Sequence, residues 1–94
     1  MFDASIPEPG RVRLSGRFDA AQVEKARSVF DQVNVSTVVD FGELEYISSA
    51  GLGILLMTQR RLRETGKSLK LINLNKHIRD VFQYAGFDKI FEIA

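Results

Sequence analysis

Along this chain the hydrophobic pattern switches between a period of two and a helical period, and the switching predicts the elements. Val12, Leu14 and Phe18 alternate with Arg11, Arg13 and Arg17, which describes a half-buried strand ending near Phe18. Gly16 falls on the apolar phase of that strand, as at a bulge or a close packing contact. The segment from Phe2 to Ile6 is a candidate short strand before it, ended by Pro7 and the Pro9-Gly10 turn. Asp19 reads as a helix N-cap with Gln22 as its capping partner. Val23, Ala26, Phe30 and Val33 then recur at helical spacing, with Glu24, Lys25, Arg27 and Asp31 on the other faces.

The β-branched run from Val35 to Phe41 predicts a central strand covered on both sides, with Gly42 to Ile47 carrying the chain onward to Ser48 and Ser49. A second helix runs from about there to Thr65, with Gly66 as its stop. Leu69, Leu71, Ile72 and Leu74 predict another strand. Asn75 reads as the cap of a third helix that carries Ile78, Val81, Phe82 and Ala85 on one face and stops at Gly86. Ile90, Phe91 and Ile93 predict a last strand. Strands alternating with helices give an α/β layer structure: residues 1–94 as one small domain, with a mixed sheet and helices packed mainly on one face.

Composition narrows the chemistry. The chain has no cysteine, which excludes disulfides and thiolate metal sites, and with a single histidine, His77, a structural zinc site is not expected. Thirteen Lys and Arg against twelve Asp and Glu leave a net charge of +1, which argues against a nucleic-acid binder working through phosphate neutralisation. The nearest basic cluster, Arg60, Arg61 and Arg63, reads as a solvated helix face. Met1 to Gly10 contains Asp3 and Glu8 and no apolar run, so no N-terminal targeting signal is expected there, and the longest apolar run, Ile54 to Met57, is far too short to span a membrane. A soluble cytoplasmic protein is expected, and the balanced charge and small size make a monomer the default.

The informative stretch is Asp40 to Met57, DFGELEYISSAGLGILLM, where two serines stand at a strand-to-helix junction. Around the second helix, Leu52, Leu55, Leu56 and Leu62 form the core side, with Gln59 near its middle. Ala50, Gly53, Ile54, Met57 and Arg61 fall opposite, where a surface helix is normally polar. Either this small, apolar side is a docking surface beside Ser49, or another part of the chain covers Ile54 and Met57. One serine can cap the helix. A phosphate on Ser49 would add a charge of roughly −1.5 to −2 beside free helix N–H groups. Enzymatic readings fail on the residues. Ser-Ser-Ala-Gly-Leu is not a nucleophile elbow, His77 belongs to the third helix, and the Gly51-Leu52-Gly53 turn has Leu56 where a dinucleotide fingerprint has its third glycine.

Leu14 to Ala20 (LSGRFDA), Val38 to Phe41 followed by Tyr46 to Leu52 (YISSAGL), and Ile78 to Phe91 together resemble the STAS family, specifically bacterial anti-sigma factor antagonists. The resemblance covers the chain from Arg11 to Phe91. It implies a non-catalytic protein whose unphosphorylated form binds an anti-sigma factor/serine kinase of the histidine-kinase-like ATPase type. That kinase phosphorylates a serine, and a PP2C-type phosphatase restores it; no cofactor or metal is implied for the antagonist itself. Ser49 aligns with the phosphoacceptor, Asp19 with an acidic residue near it, and Gly51 with the motif glycine. The commonest run in the family is D-S-S-G; here Ser48 replaces the acid and Ala50 the second serine, which leaves Ser48 as the alternative acceptor. Asp19 is equally well explained as a plain cap. Partner contacts are expected at Ala50, Gly53, Ile54 and Met57. The alternatives are a STAS accessory subunit of an ABC-type lipid transporter and a scaffold subunit of a stress-sensing complex, both without phospho-switching.

Overall fold

A computed structural model describes residues 1–94. Strands β1 (Phe2–Glu8), β2 (Arg11–Phe18), β3 (Thr37–Ile47), β4 (Leu69–Ile72) and β5 (Glu92–Ile93) form one sheet in sequential order. β1 is antiparallel to β2, and every later neighbour is parallel, so the sheet is mixed. Each parallel step needs a crossover, and helices α1 (Val23–Phe30), α2 (Ser49–Arg63) and α3 (Lys76–Tyr84) supply the three. All three steps move the same way across the sheet. The right-handed crossover rule therefore puts all three helices on one face, as the sequence pattern anticipates.

Burial follows from that asymmetry. Val12, Leu14 and Phe18 of β2, Val39 and Phe41 of β3, and Leu69 and Leu71 of β4 point into the helical layer and are fully buried. Their neighbours Arg13 and Arg17 are exposed, and Val38, Asp40 and Lys70 are half-buried on the open face. β3 is thus not covered on both sides. Its β-branched run reflects strand propensity, not double burial, and Val35 lies outside the strand and exposed. β3 is also longer than the sequence suggests. The stretch from Gly42 to Ile47 is strand, hidden from the pattern because two irregularities opposite β2 break its alternation. β1 likewise extends past Pro7 to Glu8, with its register shifted between Ser5 and Glu8. Pro7 is tolerated because β1 is an edge strand.

Gly16 meets two demands at once. It has φ +81, and a Cβ there would overlap the Met1 carbonyl, which accepts a hydrogen bond from Arg17 N at 3.0 Å. At the far end of the core, Phe82 of α3 packs edge-on to Phe41, Phe87 and Phe91. The C-terminal segment is mostly a short turn, Phe87–Lys89, followed by only two strand residues. Helix caps match the sequence at Asn75, whose Oδ1 accepts from Ile78 N at 2.8 Å. They differ at Asp19, whose Oδ1 accepts from Ala21 N at 3.1 Å and caps a 3-10 turn, Ala20–Gln22. Gln22 makes no side-chain cap bond, and α1 begins one residue later.

One polar network ties the open face together. Asp40 Oδ2 accepts from Arg11 of β2 at 2.8 Å, and Oδ1 accepts from Gly42 N at 2.8 Å and from the Asn73 amide at 3.1 Å. Burial alone would raise the Asp40 pKa. The hydrogen bonds from Asn73, Gly42 and Arg11 outweigh it and hold the carboxyl below its ordinary value. This contribution to stability is therefore present above the unfolded-state pKa of about 3.9 and is lost as pH falls through the lower folded value. Asp40→Asn is expected to unfold at lower urea than the parent at neutral pH, with the gap closing below about pH 4. A gap undiminished in acid would show that the network does not titrate as described.

Candidate docking site at the start of α2

β2 and β3 are parallel and end side by side. Phe18 pairs with Ile47, and Ser48 N donates to the Phe18 carbonyl at 2.8 Å. The next residues along, Asp19 and Ser48, both leave the sheet in extended conformation and both cap a helical turn. Helix α2 also packs against the 3-10 turn that Asp19 caps. The topology thus sets the acidic residue beside the serine pair.

The two serines have different jobs. Ser48 is the N-cap of α2, its Oγ accepting from Gly51 N at 3.2 Å. Ser49 is the first residue of the helix, is exposed, and has a hydroxyl without a hydrogen-bond partner in the chain. Capping therefore occupies one hydroxyl and leaves the other facing solvent.

The two glycines also differ. Gly51 is buried where α2 crosses the strand ends. A Cβ there would sit 2.9 Å from Ile47 Cγ1 and 3.1 Å from Phe18 Cγ. Gly53 has nothing within 4 Å of a Cβ position. Gly51→Ala is expected to cost about 1–2 kcal/mol, overpacking outweighing the gain in helix propensity. Gly53→Ala is expected to stabilise by about 0.5–1 kcal/mol. Urea denaturation of the two variants checks both; equal shifts would mean that the crossing is looser than described. A helix glycine that the fold does not require is a place where a partner can approach closely.

On the outward side of α2, Met57 is 63% exposed, and Ala50 and Gly53 are half-buried. Ile54 departs from expectation: it is 6% exposed, packed in the seam between α2 and α1. It lies beneath the outward side and lines the groove along that seam with Met57 and Arg61. The sequence could not show this because α1's placement against α2 is a tertiary fact. A groove of about 250 Å³ follows that seam, with Met57 and Arg61 of α2 facing Arg27 and Asp31 of α1.

Two side chains of α2 have roles that sequence reasoning missed. Arg61 donates to the carbonyls of Phe30 at 2.9 Å and Val33 at 2.8 Å, closing the C-terminus of α1. Gln59, 3% exposed, accepts from Leu69 N at 2.8 Å and donates to the Ile90 carbonyl at 2.9 Å. Gln59's place in an apolar stripe was the available signal. Leu56, expected in the core with it, is only half-buried. His77 lies exposed in the first turn of α3. No group of His, Asp and Glu is placed to hold a metal, and no helix is long and apolar enough to cross a membrane.

BtrV of Bordetella bronchiseptica, assigned as an anti-sigma factor antagonist, is 41% identical over 75 residues, covering 80% of this chain. The match spans 59% of BtrV's own length. The anti-sigma-B factor antagonist of Listeria monocytogenes is 29% identical over 84 residues, 85% of this chain and 74% of that one. In fold, the chain is similar to the anti-sigma factor antagonist SpoIIAA. The TM-score is 0.72 to the unphosphorylated form, at 21% identity and covering 100% of this chain and 87% of that one. It is 0.69 to the phosphorylated form from Bacillus, at 24% identity, covering 100% and 91%. Residues 1–92 match the family described as "Mlab, STAS domain". The chain belongs to the STAS domain family.

Proposed function

We propose that this protein is an anti-sigma factor antagonist that works by binding, and that phosphorylation of Ser49 switches it off. The observation that carries the proposal is the division of labour at the start of α2. Ser48 is occupied as the cap, while Ser49 presents an unpaired hydroxyl beside the face formed by Ala50, Gly53 and Met57. The names of BtrV and of the Listeria antagonist support the binding role. The partner is an anti-sigma factor/serine kinase of the histidine-kinase-like ATPase type, which brings the nucleotide and magnesium, and a PP2C-type phosphatase resets the switch. The antagonist contributes no catalysis: Ser49 accepts a phosphate that the partner's machinery transfers. Asp19, at the neighbouring strand end, adds to the negative charge around that phosphate. The switch operates in the cytoplasm.

The physical mechanism is desolvation. The unmodified face excludes water against the partner, and a dianion placed there loses its hydration, so the complex weakens. Calorimetric titration against the kinase-like anti-sigma factor tests the surface. Met57→Glu and Gly53→Arg are each expected to weaken binding by at least about tenfold, equivalent to about 1.4 kcal/mol. Tyr84→Ala, at an exposed position on α3, is expected to leave it unchanged. Unaltered affinity in both α2 variants would remove this face from the interface.

A further inference from the structure

The basic cluster Arg60, Arg61 and Arg63 separates in the fold. Arg61 is committed to α1, whereas Arg63 lines a groove of about 560 Å³ between the last turn of α2, the entry to β4 and the turn before β5. Lys67 and Lys89 line it too. Its one acid is Glu92, whose carboxylate lies 3.5 Å from Lys70 outside the groove. No carboxylate pairs with Arg63, Lys67 or Lys89; the nearest engagement is Lys67 Nζ donating to the Asn34 carbonyl at 3.0 Å.

Cations in a last helical turn ordinarily answer the helix's own carbonyls. Here the backbone already does so. The Leu62 carbonyl accepts from Lys67 N at 2.9 Å and Thr65 N at 3.0 Å, and that of Arg63 from Gly66 N at 3.1 Å. Arg63 and Lys89 are thus unpaired cations converging on one concavity, whose volume falls in the range of about 300–1,000 Å³ usual for small-molecule sites. The groove is mixed: half-buried Ile90 offers an apolar wall beside the charged rim.

We propose that this groove binds a small phosphate-bearing ligand, with the phosphate between Arg63, Lys67 and Lys89 and any uncharged portion against Ile90. Guanidinium and ammonium donors without a carboxylate partner suit a phosphate, and Arg63 can engage two of its oxygens at once. The site is separate from the docking face. Ser49 and Arg63 stand at opposite ends of α2, roughly 21 Å apart at 1.5 Å per residue, so occupancy here does not block the start of the helix.

Titration of the 15N-labelled protein with ADP, inorganic phosphate and adenosine at fixed ionic strength, followed by amide chemical shifts, tests the assignment. Saturable shifts at Lys67, Ser68, Lys89 and Ile90 are expected with ADP and with phosphate, and none with adenosine at the same concentration. Tighter binding of ADP would identify a nucleotide-sized ligand, and equal affinity would identify free phosphate; both support a phosphate site. The double variant Arg63→Gln/Lys89→Gln, which changes only exposed side chains, is expected to weaken binding at least tenfold with its remaining amide shifts unmoved. No saturation with either phosphate compound, or saturation unaffected by the double variant, would overturn the proposal.

Discussion

Replacing Gln59 with leucine is expected to lower the unfolding free energy by about 2–4 kcal/mol, although leucine suits the apolar stripe by pattern. Gln59 serves the Leu69 N–H and the Ile90 carbonyl from a position 3% exposed. Leucine removes both partners at once. The Leu69 N–H lies buried at the first residue of β4, where water cannot replace the lost acceptor. The Ile90 carbonyl borders a groove and is partly rescued by solvent, which is why the range does not reach the full penalty for two orphaned groups. In a domain of this size the loss corresponds to a fall in melting temperature on the order of 10–30 °C. Gln59→Glu provides the matching test. Ionised, the carboxylate accepts from Leu69 N but cannot donate to Ile90; protonated, it does both. Its folded-state pKa is therefore raised, and the variant is expected to gain stability relative to the parent as pH falls through that value. Thermal unfolding of both variants across pH checks the pair. A neutral Gln59→Leu would mean that the contacts joining α2 to β4 and the C-terminal turn contribute nothing.

Ser49→Glu is expected to weaken binding to the kinase-like anti-sigma factor by about 30-fold or more while leaving the fold intact. A charge buried without a partner at an interface costs about 2–5 kcal/mol, and each 1.4 kcal/mol is about tenfold in affinity. The same carboxylate, at the first residue of α2, faces the helix's free N–H groups and adds about 0.3–1 kcal/mol to the free protein's stability. Affinity falls while melting temperature holds or rises, a combination that general damage to the fold cannot produce. Ser48→Ala is expected to do the reverse: loss of the cap costs about 1 kcal/mol of stability with affinity largely kept. Calorimetric titration and melting curves for the two variants check this exchange of effects. If Ser48→Ala abolished binding and Ser49→Glu did not, the assignment of the two hydroxyls would have to be reversed.

The pattern of periods was enough to place the three α-helices and strands β1, β2 and β4 close to their observed positions, because each of those strands has one face in the core. Legibility failed where geometry depends on neighbours. The second half of β3 was obscured by irregular pairing with β2, and the two-residue β5 is defined by its bonds to β4 more than by its own residues. The site was legible as a segment but not as a surface. Ser48 and Ser49 were visible as a pair, and only the cap geometry separates their roles. Ile54 shared the outward angle of Met57 on an isolated helix, and α1 is what buries one and leaves the other 63% exposed. Arg61 looked like one member of a solvated cluster because the carbonyls it closes belong to another helix.

The most direct test of the switch is incubation with ATP, magnesium and the kinase-like anti-sigma factor encoded nearest to this protein, followed by intact and fragment mass spectrometry. One added phosphate is expected, mapped to Ser49 and absent in Ser49→Ala. A stable complex in which no phosphate is transferred would contradict the phospho-switch and favour a constitutive STAS accessory subunit that uses the same helix face.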